Sequence, residues 1–278
     1  MKQPHKSNED RTVRSTADYI SFGVPFQLAA EDESLLAQMV EMLPLDSKRI
    51  AAGTHAAERF TLLSSIEGAG YAGYVSDELT IENAELLPVL ERLRQDLMVH
   101  VANHAPDRVF VHAGVVGWQG RALVFPGRSF AGKTTLVAEL VKAGATYYSD
   151  EYAVVDASGN VHPYARDLQM REPGSPEQRS LPVERLGGSS GLAPLPVGQV
   201  LFAEYAEGSE WAPEPVSNGM AVLEMMRHTI PVQRTPARVM STLSHMMTGA
   251  AAWRSRRGEA KTTAHAILIA LGEEITLL

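Results

Sequence analysis

The chain contains no cysteine and no long hydrophobic run. The absence of cysteine from its 278 residues excludes disulfide bonds, thiolate metal sites and cysteine nucleophiles. No apolar stretch approaches the ~18 residues that a membrane-spanning helix needs, and the polar start of the sequence lacks the apolar segment of a signal peptide. Basic residues are too few to balance the acidic ones, and the net charge of −8 argues against a nucleic-acid-binding surface. We therefore expect a cytoplasmic protein that binds neither membranes nor nucleic acids.

Composition and local pattern predict an α/β protein with three parts. With 45% hydrophobic residues, the chain can bury a sizeable core. Residues 1–16 are polar and are expected to form a disordered tail, whereas residues 17–104 combine strand-like and helical patterns and predict a small α/β domain. In residues 105–278 strand-like runs outnumber helical ones, which favours a mixed sheet over a simple βαβ repeat.

Hydrophobic periodicity gives more specific expectations for individual segments. An interrupted strand is predicted over 19–28, with a following helix capped by Ser34. Residues 172–197 are rich in proline and glycine, so we expect no regular element there and interpret the segment as either a functional lid or a plain connection. The longer helices are predicted over 81–104, over 218–230, from Pro236 with Thr235 as N-cap, and over about 259–271.

The most informative stretch is RALVFPGRSFAGKTT, residues 121–135. A strand-like run precedes a Gly-x4-Gly-Lys-Thr sequence and a helical pattern follows it, which is the context that a phosphate-binding loop requires. The glycines let backbone N–H groups converge on phosphate oxygens, the lysine binds the β- and γ-phosphates, and the threonine hydroxyl can ligate Mg²⁺. The pattern predicts a nucleoside triphosphate site, the alternative being a glycine-rich turn that matches by accident. The predicted nucleotide-binding residues are Gly127, Arg128, Ser129, Phe130, Ala131, Gly132, Lys133, Thr134 and Thr135.

Other polar residues flank this loop in the sequence. His112 lies in the preceding strand-like run, before a predicted turn at 118–120, and this hairpin does not obviously bring the histidine near the phosphates. A histidine in an apolar strand is most often a structural residue. Asp150 and Glu151 end the strand after the predicted P-loop helix, where a carboxylate can hold Mg²⁺ or accept a proton from an attacking hydroxyl. The alternative is a pair of solvated turn residues.

The spacing of these residues is typical of one enzyme family. The shared pattern consists of His112-Ala113, Gly127 to Thr134, Glu139-Leu140, Gly144 and Asp150-Glu151. Through it, residues 108–156 resemble the catalytic core of the bacterial HPr kinase/phosphorylase family, whose fold is similar to the nucleotide domain of ATP-dependent phosphoenolpyruvate carboxykinase. The resemblance implies an α/β P-loop kinase core with a mixed sheet, and ATP and Mg²⁺ as cofactors.

The resemblance also implies a role for each polar residue of the pattern. Lys133 would bind the β- and γ-phosphates, and Thr134 and Asp150 would hold Mg²⁺. Glu151 takes the place of the aspartate that removes the proton of the acceptor serine, and His112 takes the place of the active-site histidine near it. Additional positive charge at the transferred phosphoryl group would come from one of Arg128, Arg166, Arg171 and Arg234.

The chain departs from the family pattern at several points. Glu151 stands where the family has aspartate, Thr135 stands where it has an acid, and the C-terminal signature of the reverse, phosphorolytic reaction is not recognisable. We therefore expect an ATP-dependent serine kinase of a related branch, acting on a protein or a peptide such as a ribosomal (lasso-type) peptide, with a homo-oligomer as one expected assembly. The alternatives are an ATP-binding regulatory or accessory module with little phosphotransfer, and a small-molecule kinase or carboxykinase-like enzyme.

Overall fold

The computed structural model describes residues 13–53, 58–65, 70–128, 131–171 and 178–275. Within these ranges the chain is of the mixed α/β class, with six α-helices and two large sheets that contain both parallel and antiparallel strand pairs. This confirms the predicted α/β class and the predicted mixed sheet. The chain divides into two compact units, with the boundary between Asp107 and Arg108. No helix among the described residues is long and apolar enough to span a membrane.

The first unit is a six-stranded sheet with two helices. Its strands run in the order β3-β1-β2-β4-β5-β6, and only β2 and β4 are parallel. Its core contains side chains that are fully buried, among them Phe26, Leu28, Phe60, Leu62 and Leu93. The elements are β1 (Ser15–Ser21), β2 (Val24–Ala30), α1 (Glu33–Glu41), β3 (Lys48–Arg49), β4 (Arg59–Ser64), β5 (Tyr71–Val75), β6 (Glu78–Asn83) and α2 (Leu86–His104).

Several boundaries in this unit differ from the predictions. The single strand predicted over 19–28 is a hairpin, because positive φ angles at Phe22 and Gly23 turn the chain between β1 and β2. β1 begins at Ser15, so the predicted tail extends too far, and its residues 1–12 lie outside the described ranges. Asp32, and not Ser34, caps α1, because the Asp32 carboxylate accepts the Leu35 N–H at 2.9 Å. The helix predicted from residue 81 begins at Leu86, since the preceding residues form β6.

The second unit is built around an eight-stranded sheet. Its strands run in the order β11-β10-β7-β8-β14-β16-β15, and β9 also pairs with β7. β8, β14 and β16 are mutually parallel, whereas β7 is antiparallel to β8, β9 and β10. The strands of this sheet are β7 (Val109–Trp118), β8 (Arg121–Pro126), β9 (Thr146–Ser149), β10 (Tyr152–Val155), β11 (Val161–His162), β14 (Val197–Tyr205), β15 (Glu214–Val216) and β16 (Ala251–Arg257).

The remaining elements of the second unit cover this sheet or extend from it. β12 and β13 form a separate antiparallel hairpin, and short 3₁₀ segments occupy 183–186 and 230–233. The elements are α3 (Lys133–Lys142), β12 (Leu168–Arg171), β13 (Gln178–Leu181), α4 (Asn218–Met226), α5 (Pro236–Met246) and α6 (Ala260–Ile275).

Three predictions for this unit need correction. β16 was not predicted and lies between the second and third of the predicted C-terminal helices. The first of those helices ends at Met226, because Arg227 caps it and the chain then joins β7 through a bridge between Thr229 and Val111. The segment 172–197 is not wholly irregular, since it contains β13 and a 3₁₀ turn; its residues 172–177 lie outside the described ranges. Thr235 as N-cap of α5 is confirmed.

Close packing of α3 against β7 fixes the helix that follows the P-loop sequence. The apolar face of α3 buries Leu136, Val137 and Leu140. A Cβ atom at Gly114 of β7 would lie 2.7 Å from the Val137 Cγ2 atom, which is inside van der Waals contact. Gly114 therefore permits an approach between helix and sheet that any larger residue would prevent.

We expect Gly114→Ala to lower the free energy of unfolding of the second unit by about 1–3 kcal/mol, because the valine side chain on α3 is stiff and cannot move aside cheaply. Gly219→Ala is the matched control, since a Cβ there meets no atom within 4 Å; it should leave stability unchanged or slightly raised. Urea unfolding followed by tryptophan fluorescence measures the effect, because Trp118, Trp211 and Trp253 all belong to this unit. Equal stability of the two variants would contradict the packing argument.

Candidate functional site

The middle of β7 brings the predicted loop and the predicted acids together. On one side, β7 pairs with β8 through the turn at Gln119 and Gly120, which both have positive φ. This register places His112 beside the first loop glycine, and the Gly127 N–H donates to the His112 carbonyl at 3.2 Å. The predicted turn is confirmed, and the hairpin that it forms carries His112 to the loop.

The acids lie on the other side of the same strand. β9 pairs with residues 115–117 of β7 and β10 pairs with residues 109–112, so the chain between β9 and β10 passes the middle of β7. That connection is Asp150-Glu151, and the Ala113 N–H donates to the Glu151 carbonyl at 3.1 Å. His112 and its neighbour thus lie between the loop and the two carboxylates.

The loop places a partly buried lysine at its centre. The Lys133 ammonium donates to the carbonyls of Gly127 at 3.0 Å and Arg128 at 2.8 Å. Burial lowers the pKa of Lys133 to about 8, and the charges of Asp150 and Glu151 oppose this shift. The opposition shows that both carboxylates are close enough to attract the ammonium group, which remains mostly protonated near neutral pH.

The start of α3 has no side-chain cap among the described residues. Gly132, at the N-cap, has φ 73° and supplies no side-chain hydrogen bond to the first turn of the helix. Backbone N–H groups at a helix N-terminus, together with the helix dipole, favour phosphate oxygens. Thr134 is half-buried and Thr135 exposed in this first turn. Ser129 and Phe130, which the sequence assigns to the same loop, lie outside the described residues.

His112 is a neutral imidazole in this site. Burial lowers its pKa from 6.5 to about 4, with smaller contributions from the charges of Lys133 and His228. Its backbone is held on both sides, because the His112 N–H donates to the His228 carbonyl at 2.7 Å. His112 therefore contributes a hydrogen-bonding ring without charge beside the lysine.

Each of the two acids has a defined neighbour. The Tyr147 hydroxyl donates to Asp150 Oδ1 at 2.9 Å, and the Arg166 guanidinium lies 3.4 Å from Glu151 Oε2. The Ser149 hydroxyl accepts the backbone N–H of Glu151 at 3.1 Å, which shapes the turn between β9 and β10. Among the described residues no group of three or more His, Asp or Glu side chains could hold a metal ion by itself. A divalent cation here would need phosphate oxygens in addition to Thr134 and Asp150.

Arg257 belongs to the site although the sequence analysis did not include it. Its side chain is only 3% exposed, and its Nη2 donates to the carbonyls of Ala131 at 3.3 Å and Gly132 at 3.0 Å. The guanidinium also lies 5.4 Å from the centroid of the Tyr205 ring. The missed signal is a period of two in β16, where Arg254 and Arg256 are exposed and Ser255 and Arg257 are buried.

His228 is the second residue that the sequence analysis missed. It follows α4, and burial lowers the pKa of its ring; Glu224 opposes the shift, whereas Lys133 and Arg128 add to it. The ring therefore lies within electrostatic reach of the loop lysine. No local sequence pattern predicts that His228 lies near the loop, because its position depends on a long-range contact, the bridge between Thr229 and β7.

A scan against protein-family models and a search of curated proteins give no match for this chain. The interpretation of the site therefore depends on its geometry and chemistry. The described residues offer a lysine at the start of α3, a helix N-terminus without a side-chain cap, two carboxylates and a neutral histidine. This set fits an anionic ligand bound together with a divalent cation.

Protonation of His112 predicts a specific pH dependence of folding. Because its pKa is about 4 in the folded chain and 6.5 as an ordinary value, the unfolded chain binds a proton in this interval that the folded chain does not. Acidification from about pH 7.5 to about pH 5 should therefore cost about 2 kcal/mol of unfolding free energy through His112 alone. Urea unfolding of wild type and His112→Gln at both pH values measures the difference. Parallel losses in the two proteins would contradict a neutral, buried His112.

We expect Arg257 to stabilise the end of the loop at Ala131 and Gly132. Arg257→Met removes the two hydrogen bonds to the loop carbonyls, so amides of residues 131–136 should exchange with deuterium about tenfold faster, which corresponds to about 1.4 kcal/mol of local stability. Arg256→Met is the matched control, because Arg256 is exposed on the same strand. Equal exchange rates in the two variants would show that Arg257 does not stabilise the loop.

Proposed function

We propose that the chain is an ATP- and Mg²⁺-dependent kinase of the HPr-kinase-like type, which transfers the γ-phosphate to a serine hydroxyl of a protein or peptide in the cytoplasm. The observation that supports this best is the convergence on β7: the Gly127 N–H and the Glu151 carbonyl hydrogen-bond consecutive residues of one strand, His112 and Ala113. Phosphoryl transfer requires groups that bind the phosphates and, close to them, a base for the hydroxyl. The hydrogen bonds to β7 support the proposal because they hold the loop, as the phosphate-binding group, close to Glu151, as the base.

The residues divide the work of transfer between them. The loop N–H groups and Lys133 bind the β- and γ-phosphates, in exchange for the two carbonyls that the ammonium now contacts. Thr134 and Asp150 would hold Mg²⁺, which neutralises charge on the phosphate oxygens when it is bound. Glu151 accepts the proton of the acceptor hydroxyl, whose oxygen bonds to the γ-phosphorus as the bond to the β-phosphate oxygen breaks and ADP leaves.

His112 and Arg166 support this transfer in different ways. A neutral His112 beside Lys133 adds a hydrogen-bond donor or acceptor without repelling the ammonium group. Among the four arginines considered from the sequence, Arg128 and Arg234 are exposed, and the side chain of Arg171 lies outside the description. Arg166 is within 3.4 Å of Glu151, so it is our choice for the arginine that meets the transferred phosphoryl group.

The contact between Arg166 and Glu151 favours one alternative function. A carboxylate that pairs with a guanidinium is occupied, and a chain that kept Glu151 paired with Arg166 would bind ATP without transferring phosphate. The alternative function is thus an ATP-binding regulatory or accessory module. It differs from the kinase in one respect, namely whether Arg166 releases Glu151 when ATP and an acceptor are bound.

Labelling with γ-³²P-ATP and Mg²⁺ in fractionated cell extract distinguishes the two functions. Wild type should label a polypeptide at serine, and Glu151→Gln should reduce the rate by at least about 100-fold while ATP affinity changes little, because the base acts only on the hydroxyl. Glu184→Gln, an exposed acid on the 3₁₀ segment, is the control and should label normally.

Each of the other outcomes contradicts a part of the proposal. ATP binding by calorimetry without any labelled polypeptide would favour the accessory module. Undiminished labelling by Glu151→Gln would remove the proposed base, and label found only in small metabolites would replace the polypeptide acceptor with a small molecule.

A further inference from the structure

Tyr147 is a buried residue whose polar end reaches the acids. Its side chain is 1% exposed and belongs to the apolar cluster formed with Leu136 and Leu140 of α3. Its backbone is fixed by hydrogen bonds on both groups, from its N–H to the Ser189 carbonyl at 2.9 Å and from the Gly191 N–H to its own carbonyl at 2.7 Å. The ring therefore has little freedom, and its hydroxyl position is set by the core.

The hydroxyl of Tyr147 is engaged on Asp150. It donates to Asp150 Oδ1 at 2.9 Å. Burial raises the pKa of Tyr147, as do the charge and hydrogen bond of Asp150, whereas the backbone N–H groups of Arg166 and Asp150 oppose the rise. The hydroxyl thus stays protonated and acts as a donor, and it also connects Asp150 to the segment that precedes the β12–β13 hairpin.

This arrangement leaves one carboxylate oxygen for another partner. With Oδ1 held by Tyr147, no hydrogen bond to Oδ2 from the described residues is seen, and Lys133 is close enough for its pKa to respond to the Asp150 charge. A ligand carboxylate that is hydrogen-bonded by a fixed neighbour presents its second oxygen in a defined direction, and loss of such a neighbour typically weakens metal binding by ten- to a hundredfold.

We propose that Tyr147 is a positioning residue that fixes Asp150 for the divalent cation bound with the nucleotide. The inference rests on the proposed function in so far as Asp150 ligates that cation. Tyr147 itself touches neither the nucleotide nor the acceptor in this proposal. It acts through the carboxylate, from a core position that the phosphate-binding loop sequence does not include.

The next residue of β9 is a natural control. Tyr148 is also buried, at 4% exposed, and its hydroxyl also donates one hydrogen bond, to the Ala193 carbonyl at 2.7 Å. It lies in a different apolar cluster, together with Val115 and Val124. Tyr147→Phe and Tyr148→Phe therefore remove the same group from adjacent buried positions, and only the first touches Asp150.

The experiment measures the Mg²⁺ concentration that half-saturates binding of a non-hydrolysable ATP analogue, by calorimetry at fixed analogue concentration. Tyr147→Phe should raise this concentration about tenfold, whereas Tyr148→Phe should stay within about twofold of wild type. Analogue affinity without metal should be the same in all three proteins. In an Asp150→Asn background, adding Tyr147→Phe should have no further effect, because the carboxylate through which it acts is gone.

Other results overturn the inference. Equal Mg²⁺ shifts for the two tyrosine variants would assign Tyr147 a merely structural role, and so would a Tyr147→Phe effect that persists in the Asp150→Asn background. Mg²⁺-dependent binding by wild type without phosphotransfer would refute the kinase. The comparison of Tyr147→Phe with Tyr148→Phe would then still test whether Tyr147 positions Asp150. Absence of Mg²⁺-dependent binding by wild type would overturn both.

Discussion

The pairing of β7 with strands on both sides is the constraint on which the candidate site depends. On one side of β7, β8 leads into the P-loop sequence. On the other side, β9 and β10 pair with β7, and the Asp150-Glu151 connection lies between them. A shift of one residue in either register would turn the side chains of the slipped strand to the opposite face of the sheet. It would also move Gly127 or the Asp150-Glu151 connection away from its partner on β7. The positive φ angles at Gln119 and Gly120 fix the first register. Gly114 allows α3 to pack closely on the same strand.

Burial determines the charges in this site. It lowers the pKa of both His112 and Lys133, so the histidine is neutral and the lysine keeps its charge with the help of Asp150 and Glu151. Arg257 contributes a second buried cation behind the loop, where its charge is balanced by backbone carbonyls and by the face of Tyr205. The site is therefore a concentration of positive charge lined by two carboxylates, which suits a polyanion bound with a cation.

Local signals in the sequence were sufficient for part of this account. The P-loop pattern, the hairpin turn, the acidic pair and the α/β class all follow from short-range features, and counting back from Trp118 opposite Arg121 would have placed His112 beside Gly127. Arg257 and His228 could not be found in this way, because they reach the loop through strand β16 and a bridge to Thr229 that join distant parts of the chain. The end of strand β6, from Ile81, was predicted as the start of a helix, since only two residues separate β6 from α2.

A crystal structure with a non-hydrolysable ATP analogue and Mg²⁺ tests the central claim most directly, namely that the residues around β7 form one phosphate-transfer site. In such a crystal the Lys133 ammonium should leave the carbonyls of Gly127 and Arg128 for the β- and γ-phosphates, with Mg²⁺ on Asp150 and with Glu151 facing the γ-phosphate. An analogue bound elsewhere, or one bound here with both carboxylates turned away from the phosphates, would contradict it.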